Sequence, residues 1–351
     1  MHELFEQLDR LPVNDRTGIL GTLTGTSGPS PRRVGAKMWI GESGRTLGSV
    51  SVGGCIDARV ADVAADVMRE GKPRLLTIDM SDATLDLGFT CTGLLNVLIE
   101  PVSWADRENE IVRSYERLRA GLERGGRSAL LTRLDGNFER ALFYDDALHG
   151  TLGAAELDAA ARQIVSEMLD SGNARTVQIA GTSVFVEVHQ PAPLLAVLGA
   201  GPVAPPLIEL AHTLGFRTLV VDARAKLANS AQLPGADEVQ WGDPGAAARA
   251  LSGPNTAAVL LAHDYKYDLP VLRALLAGDV AYLGLLGSRR RGRALLQFLE
   301  DEGFSPDALR RIRVPVGLDL GADSPKELAL SILAEVMAVL RGRSGTPLST
   351  R

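Results

Sequence analysis

Short runs of apolar residues, several alternating with polar ones, fill the first hundred positions. They are TGILGTLTG (17–25), AKMWIG (36–41), TLGSVSV (46–52), RLLTIDM (74–80) and LLNVLIEP (94–101), separated by glycine-rich turns. Runs of this length, bounded in this way, predict β-strands. One helical period interrupts them: Ile56, Val60, Val63, Ala64, Val67 and Met68 recur at three- and four-residue spacing until Gly71, which is placed to stop the helix. The pattern then predicts a helix over about 105–124, strands at SALLTRL and ERALFYDD, and a helix near 154–170. A hairpin, RTVQIAGTSVFVEVHQ, follows with its pivot at Gly181-Thr182.

Pro191-Ala192-Pro193 breaks this pattern, because proline suits neither a helix interior nor a central strand. Beyond it the strands LLAVLG, RTLVVDA, DEVQW, TAAVLLAHD and VAYLGLLGS alternate with helical stretches, the signature of a parallel sheet covered on both faces. The expected fold class is α/β: an N-terminal mixed α+β domain over 1–190, then a C-terminal Rossmann-like parallel-sheet domain over 191–345. Ser324-Pro325-Lys326-Glu327 combines a capping serine, a first-turn proline and a glutamate three residues on, which marks a helix start. The helix it opens, ELALSILAEVMAVL, is apolar nearly all round; burial between domains or at a subunit interface is expected, and with it a homo-oligomer. No internal repeat is evident.

Composition narrows the class. With 45% hydrophobic and 23% charged residues and a net charge of −6, the chain reads as soluble and globular, with no excess of cations for nucleic acid. No apolar run reaches the roughly 18 residues of a membrane span, and MHELFEQLDR has no apolar core of a secretory signal. Two cysteines, Cys55 and Cys91, make neither a disulfide framework nor a zinc-type pair, so a cytoplasmic setting with free thiols is expected.

Cys55 follows Gly53-Gly54 at the start of the predicted helix. Unpaired amides and the dipole there favour an anion, either a thiolate serving as nucleophile or metal ligand or a phosphate; the local pattern equally fits a small buried thiol. Cys91, between a turn and an apolar strand, reads by itself as a core residue. Arg32, Arg33 and Lys37 lie on a proline- and glycine-rich loop that suits a phosphate or carboxylate, or simply solvent. Farther on, Gly199-x-Gly201-x-x-Ala204 follows a strand, and Asp222 ends the next one, the arrangement that binds NAD(P) or another nucleotide. Pro202, Pro205 and Pro206 fit the helix start but remove the amides that would hold its phosphates. His263 and Asp264 sit at the carboxyl end of a strand, where a histidine serves as a general base or as a loop residue, and Arg289 and Arg290 open a helix within GSRRRGR. An NAD(P)-dependent oxidoreductase is therefore one reading.

GTSGPSPRRVGAKMWI with GSVSVGGCIDARV, DLGFTCTGLLNVLIEP, LLAVLGAGPVAPPLIELAHTLGFRTLVVDAR and VPVGLDLGADSPKELALSILAEV together resemble the XdhC/CoxI family over nearly the whole chain. The resemblance implies a maturation factor that binds the molybdenum cofactor (molybdopterin), shelters it during sulfuration and delivers it to an apo molybdenum hydroxylase of the xanthine dehydrogenase type. A cysteine desulfurase is an implied partner; nucleic acid and membrane are not. It also implies Cys55 and, with it, Cys91 as contacts to the molybdenum. Val52 stands where the family's loop has serine, threonines flank Cys91 where it has glycines, and Pro202 stands where its Rossmann turn carries histidine, which marks a divergent member.

Overall fold

The longest strand of the computed structural model, β1 (Thr17–Ser27), lies at the centre of a five-stranded antiparallel sheet. β2 (Lys37–Gly41) and β3 (Thr46–Gly48) extend the sheet on one side, and β5 (Leu94–Ser103) and β4 (Arg74–Asp79) on the other, giving the order β3-β2-β1-β5-β4. α1 (His2–Arg10) precedes the sheet and α2 (Cys55–Glu70) joins β3 to β4. The structure describes residues 2–28, 30, 32–51, 54–80, 93–262 and 264–350, which divide into units Met1–Pro191 and Ala192–Arg351.

After α3 (Glu110–Glu123), β6 (Ser128–Arg133), β7 (Arg140–Tyr144), β8 (Ala147–Gly150), α4 (Ala155–Ser171), β9 (Arg175–Ile179) and β10 (Thr182–His189) build a second sheet in the order β8-β7-β6-β10-β9. This is the first topology again, strand for strand, with α4 in the place of α2. Each copy buries one sheet face under its own helix: Ile19, Leu23, Val97 and Ile99 under Val60, Ala64 and Val67 of α2, and Leu131, Val184 and Val186 under Ala161, Val165 and Met168 of α4. Residues of alternate parity on both sheets, among them Leu20, Trp39, Val102, Leu130 and Leu142, share a third core with α1 and α3.

Two ion pairs cross between the copies. Lys37 begins β2 opposite Thr22 and bonds Glu187 of β10 at 3.0 Å; Arg140 begins β7 opposite Thr132 and bonds Glu100 of β5. Glu100 faces Leu20 in its sheet as Glu187 faces Leu130 in the other, so the two pairs occupy equivalent positions, cation from one copy and carboxylate from the other. All four side chains are buried. Burial by itself would raise the Glu187 carboxyl, but Lys37 and His189 beside it dominate and hold it down at about 2. The Tyr115 hydroxyl of α3 donates to the same carboxylate at 3.2 Å and is pushed well up by burial and by that negative charge.

The second unit is a six-stranded parallel sheet in the order β13-β12-β11-β14-β15-β16, built from β11 (Leu194–Leu198), β12 (Arg217–Asp222), β13 (Glu238–Trp241), β14 (Thr256–Leu260), β15 (Tyr282–Leu285) and β16 (Ile312–Arg313). Helices α5 (Ala204–Thr213), α6 (Pro244–Ala248), α7 (Tyr265–Leu276), α8 (Arg289–Asp301), α9 (Pro306–Leu309) and α10 (Pro325–Leu340) connect or cover it. This is the expected Rossmann-like architecture. The order reverses between β11 and β14, which places the ligand crevice of such folds at their carboxyl ends.

Three expectations change in detail. TLGSVSV yields only the strand Thr46–Gly48, because Ser49 and Ser51 turn away to bond a helix residue. The hairpin pivots at Ala180-Gly181, one residue earlier than expected, with positive φ at both positions as a type I′ turn requires. The capping box at Ser324 is present as read, but α10 packs on α5 within its own unit, with Ala329, Ile332, Leu333 and Val336 buried in that core.

Replacing Lys37 with methionine leaves the Glu187 carboxylate buried without its main cation and should lower unfolding free energy by about 3–5 kcal/mol in urea titration. Adding Glu187→Leu should restore much of that loss, because an apolar pair carries no desolvation penalty. The folded Glu187 pKa lies below its unfolded value of about 4.3, so its contribution is complete above that pH and disappears as pH falls toward 2, which acid titration of the wild type against the double variant reads directly.

Candidate functional site

Antiparallel pairing decides which loops meet. β1 ends at Ser27 opposite Leu94, the first residue of β5, and β4 ends at Asp79 opposite the same Leu94. β2 starts at Lys37 opposite Thr22, and β3 ends at Gly48 opposite Met38. α2 packs on β1, β4 and β5 and turns at Gly71 into β4, so it runs antiparallel to β4 and its amino terminus lies near β4's end. Three connections therefore emerge at one end of the first sheet: 28–36 with Arg32 and Arg33, 49–54 leading into Cys55, and 80–93 with Cys91. Cys91 and Gly53 lie outside the described residues, but the base of the third connection is fixed, since the Met80 amide bonds the Gly93 carbonyl at 2.9 Å. Gly93 has φ +141 and approaches so closely that a Cβ would fall 1.8 Å from the Ser27 carbonyl oxygen. β1 also carries a bulge between Leu23 and Gly25 just before this end, a device that bends a strand near a site.

Cys55 opens α2 and is exposed, which removes the buried-thiol reading. Gly54 before it holds φ 80 and ψ −148, a conformation nearly confined to glycine, and no described residue lies within 4 Å of where its Cβ would be. A carboxylate braces the loop from beneath. Asp57 is buried, accepts from the Ser49 hydroxyl at 2.6 Å and the Ser51 hydroxyl at 3.0 Å, and also receives the Ser51 amide. The sequence pattern did not single out this brace; its signal was an acid in the first helical turn following two serines.

The second copy provides an internal comparison. Gly150 ends β8 as Gly48 ends β3, each with positive φ and each closing on the carbonyl of the cation, Arg140 or Lys37, that crosses to the other copy. Thr151 and Asp158 repeat the brace: the Thr151 hydroxyl donates to Asp158 at 2.7 Å, as does the Leu152 amide, and the Gly153 amide bonds Thr151 as the Ser51 amide bonds Ser49. Gly172 caps α4 in the left-handed conformation as Gly71 caps α2. The differences fall in the connections. Residues 28–36 stand against 134–139, 49–54 against 151–154, and 80–93 against the two-residue turn 180–181. Both cysteines and the Arg32-Arg33 pair lie in or beside the longer connections of the first copy.

Arg33 is exposed, and Arg32 lines a cleft of about 140 Å³ with Leu4, Gln7, Gly35, Ala36, Lys37 and Gly48. Lys37 departs from the loop reading: it is a strand residue committed to Glu187 and Thr22, which leaves the two arginines as the loop's cations. In the second unit the Asp222 carboxylate accepts from the Ala200 amide and the Arg224 guanidinium, and Asp264 caps α7 through the Lys266 amide. Arg289 is exposed at the start of α8, Gly199 and Gly201 form the turn after β11, and His263 lies outside the described residues.

A family model described as the XdhC Rossmann domain matches residues 195–336, and one described as the XdhC and CoxI family matches 14–79. A probable xanthine dehydrogenase subunit of Bacillus subtilis (strain 168) is 29% identical over 345 residues, 96% of this chain and 97% of that protein. The molybdenum cofactor insertion chaperone PaoD of Escherichia coli (strain K12) is 27% identical over 327 residues, 93% of this chain and 85% of that one. A crystal structure described as a xanthine dehydrogenase from Bacillus halodurans superposes with a TM-score of 0.78 at 28% identity, covering 99% of this chain and 98% of its own.

Gly54→Ala should destabilise the protein by about 1–3 kcal/mol through backbone strain, since the added methyl meets none of the described residues. Cys55→Ala, at an exposed position, should stay within about 0.5 kcal/mol of wild type. Denaturant unfolding of the two variants side by side checks both.

Proposed function

The chain belongs to the XdhC and CoxI family, and on that premise we propose that it acts in molybdenum cofactor maturation, holding the cofactor at the loop-bearing end of its first sheet while the metal is sulfurated. It then delivers the cofactor to an apo molybdenum hydroxylase of the xanthine dehydrogenase type, with a cysteine desulfurase as the sulfur source and the cytoplasm as the setting. One observation supports this most: the first copy departs from the second by longer connections at a single sheet end, and those connections carry the exposed Cys55 thiol, the segment with Cys91, and Arg32-Arg33.

The donor chemistry fits such a cargo. Among the described residues no group of three or more His, Cys, Asp or Glu side chains comes together to cage a metal ion. A metal that arrives on its own organic dithiolene needs no cage, and a soft thiolate is the protein donor suited to it. Cys55 is that donor. The helix start behind it and the two arginines supply positive potential for the cofactor's terminal phosphate. Asp57 keeps the loop in place without facing the cargo, because its oxygens are already committed to Ser49 and Ser51.

Protein purified from a molybdenum-competent host should contain molybdenum, and denaturation with oxidation should release a fluorescent pterin. Cys55→Ala should retain at least about tenfold less of both, a loss of about 1.4 kcal/mol in binding, at an unchanged melting temperature. Full retention by that variant, or no pterin in wild type under any loading condition, refutes the proposal.

A further inference from the structure

The Rossmann fold of the second unit implies a dinucleotide, yet the ribose acceptor and several of the turn's amides are taken by the protein. In a dinucleotide site the first glycine gives a tight turn, the second lets the pyrophosphate approach, and the helix amides that follow hold the phosphates. Here Gly199 has φ +110, and a Cβ on it would lie 2.6 Å from the Ala262 amide nitrogen and 2.9 Å from the Leu261 carbonyl carbon. The space gained by omitting a side chain is filled by the neighbouring β14 loop. Several amides of the turn are also spent or missing. Ala200 donates to Asp222 at 2.7 Å and Ala204 donates to the Gly201 carbonyl at 2.9 Å, while Pro202, Pro205 and Pro206 have no amide. Leu207, the next amide along α5, bonds the Val203 carbonyl.

The ribose acceptor is occupied as well. Asp222 is 3% exposed and takes four donors: the Ala200 amide, the Arg224 amide at 2.8 Å, and two Arg224 guanidinium nitrogens at 2.9 and 2.7 Å. Four contacts fill a carboxylate's lone-pair sites, leaving none for a sugar hydroxyl. Burial would raise this carboxyl, but the Arg224 guanidinium and the two amides outweigh it and hold the pKa below the usual range, so the group stays ionised in its internal bonds.

We infer that the second unit is a Rossmann domain without a dinucleotide site, in which Asp222 and Arg224 form an internal latch between the β11–α5 turn and β12. This is independent of the cofactor role assigned to the first unit, since it concerns other residues and another readout.

Trp241 is a built-in reporter. It is 71% exposed at the end of β13 with its indole N–H on the Ala223 carbonyl, next to the latch, whereas Trp39 and Trp104 are buried in the first unit. The full chain should be titrated with NADH and NADPH while energy transfer from tryptophan to the reduced nicotinamide is followed. Equilibrium dialysis with NAD+ and NADP+ covers any binding that is optically silent. Neither method should show saturable binding up to about 1 mM, and saturation with a Kd below about 100 μM for any of the four overturns the inference. Asp222→Asn, which keeps the shape but weakens the latch, should lower the melting temperature by at least about 4 °C. An unchanged melting temperature would mean that the carboxylate holds nothing within the fold, and would overturn the inference equally.

Discussion

The long antiparallel ladder between β1 and β5 is the constraint on which the first unit depends. It pairs Thr17 with Ser103 at one end and Ser27 with Leu94 at the other, so the exit from β1 and the entry to β5 must share an edge. Once β2 and β4 hydrogen-bond to its flanks and α2 runs back across its face, the remaining connections have no choice of side. Residues distant in sequence, Arg32, Cys55 and Gly93, are brought to one end by strand direction, with no contact among them needed to bring them there. Gly93 shows how tight the convergence is, since only a residue without a side chain could pass the Ser27 carbonyl at that distance.

Repetition of the topology adds a second constraint. Each copy lends a cation to the other's carboxylate, Lys37 to Glu187 and Arg140 to Glu100, inside a core otherwise built from leucine and aromatic side chains. A buried pair of this kind adds little net stability but strongly penalises any arrangement that leaves one partner alone. Two similar sheets can associate in many ways through apolar faces, and few of those bring both cations onto both carboxylates. The paired braces at Asp57 and Asp158 serve a local form of the same purpose, fixing the path of each chain into its helix. What both copies keep is scaffold. What the first copy alone possesses, the longer connections and the cysteines, is free of that structural duty.

The sequence made the broad architecture legible. Alternation predicted most strands, the spacing from Ile56 to Met68 with Gly71 gave α2 nearly to the residue, and Ser324 to Glu327 gave the start of α10. The repetition was hidden because it survives at scattered positions, Gly48 and Gly150, Ser49 and Thr151, Asp57 and Asp158, Gly71 and Gly172. Unequal loops between them destroy any fixed period. The crossed ion pairs were hidden for a different reason: Lys37 and Glu187 are 150 positions apart, and a lysine after a glycine-rich loop reads as solvent-exposed until a strand carries it inward. The site itself was half legible. Rarity and position marked Cys55, but the sheet end that unites it with Arg32 and Arg33 is a property of strand direction, which no local pattern encodes.

Gly54 and Gly199 show why the two units call for opposite functional readings despite similar signals. Both are glycines with positive φ beside a helix start, and on a sequence line both promise room for a ligand. At Gly199 the room is filled, because the backbone of Leu261 and Ala262 lies where a side chain would be. At Gly54 no described residue lies within 4 Å of the missing Cβ, and the next residue presents an exposed thiol. That contrast, a filled position in the second unit and an open one beside an exposed thiol in the first, is what supports the proposal of a cargo at the first unit.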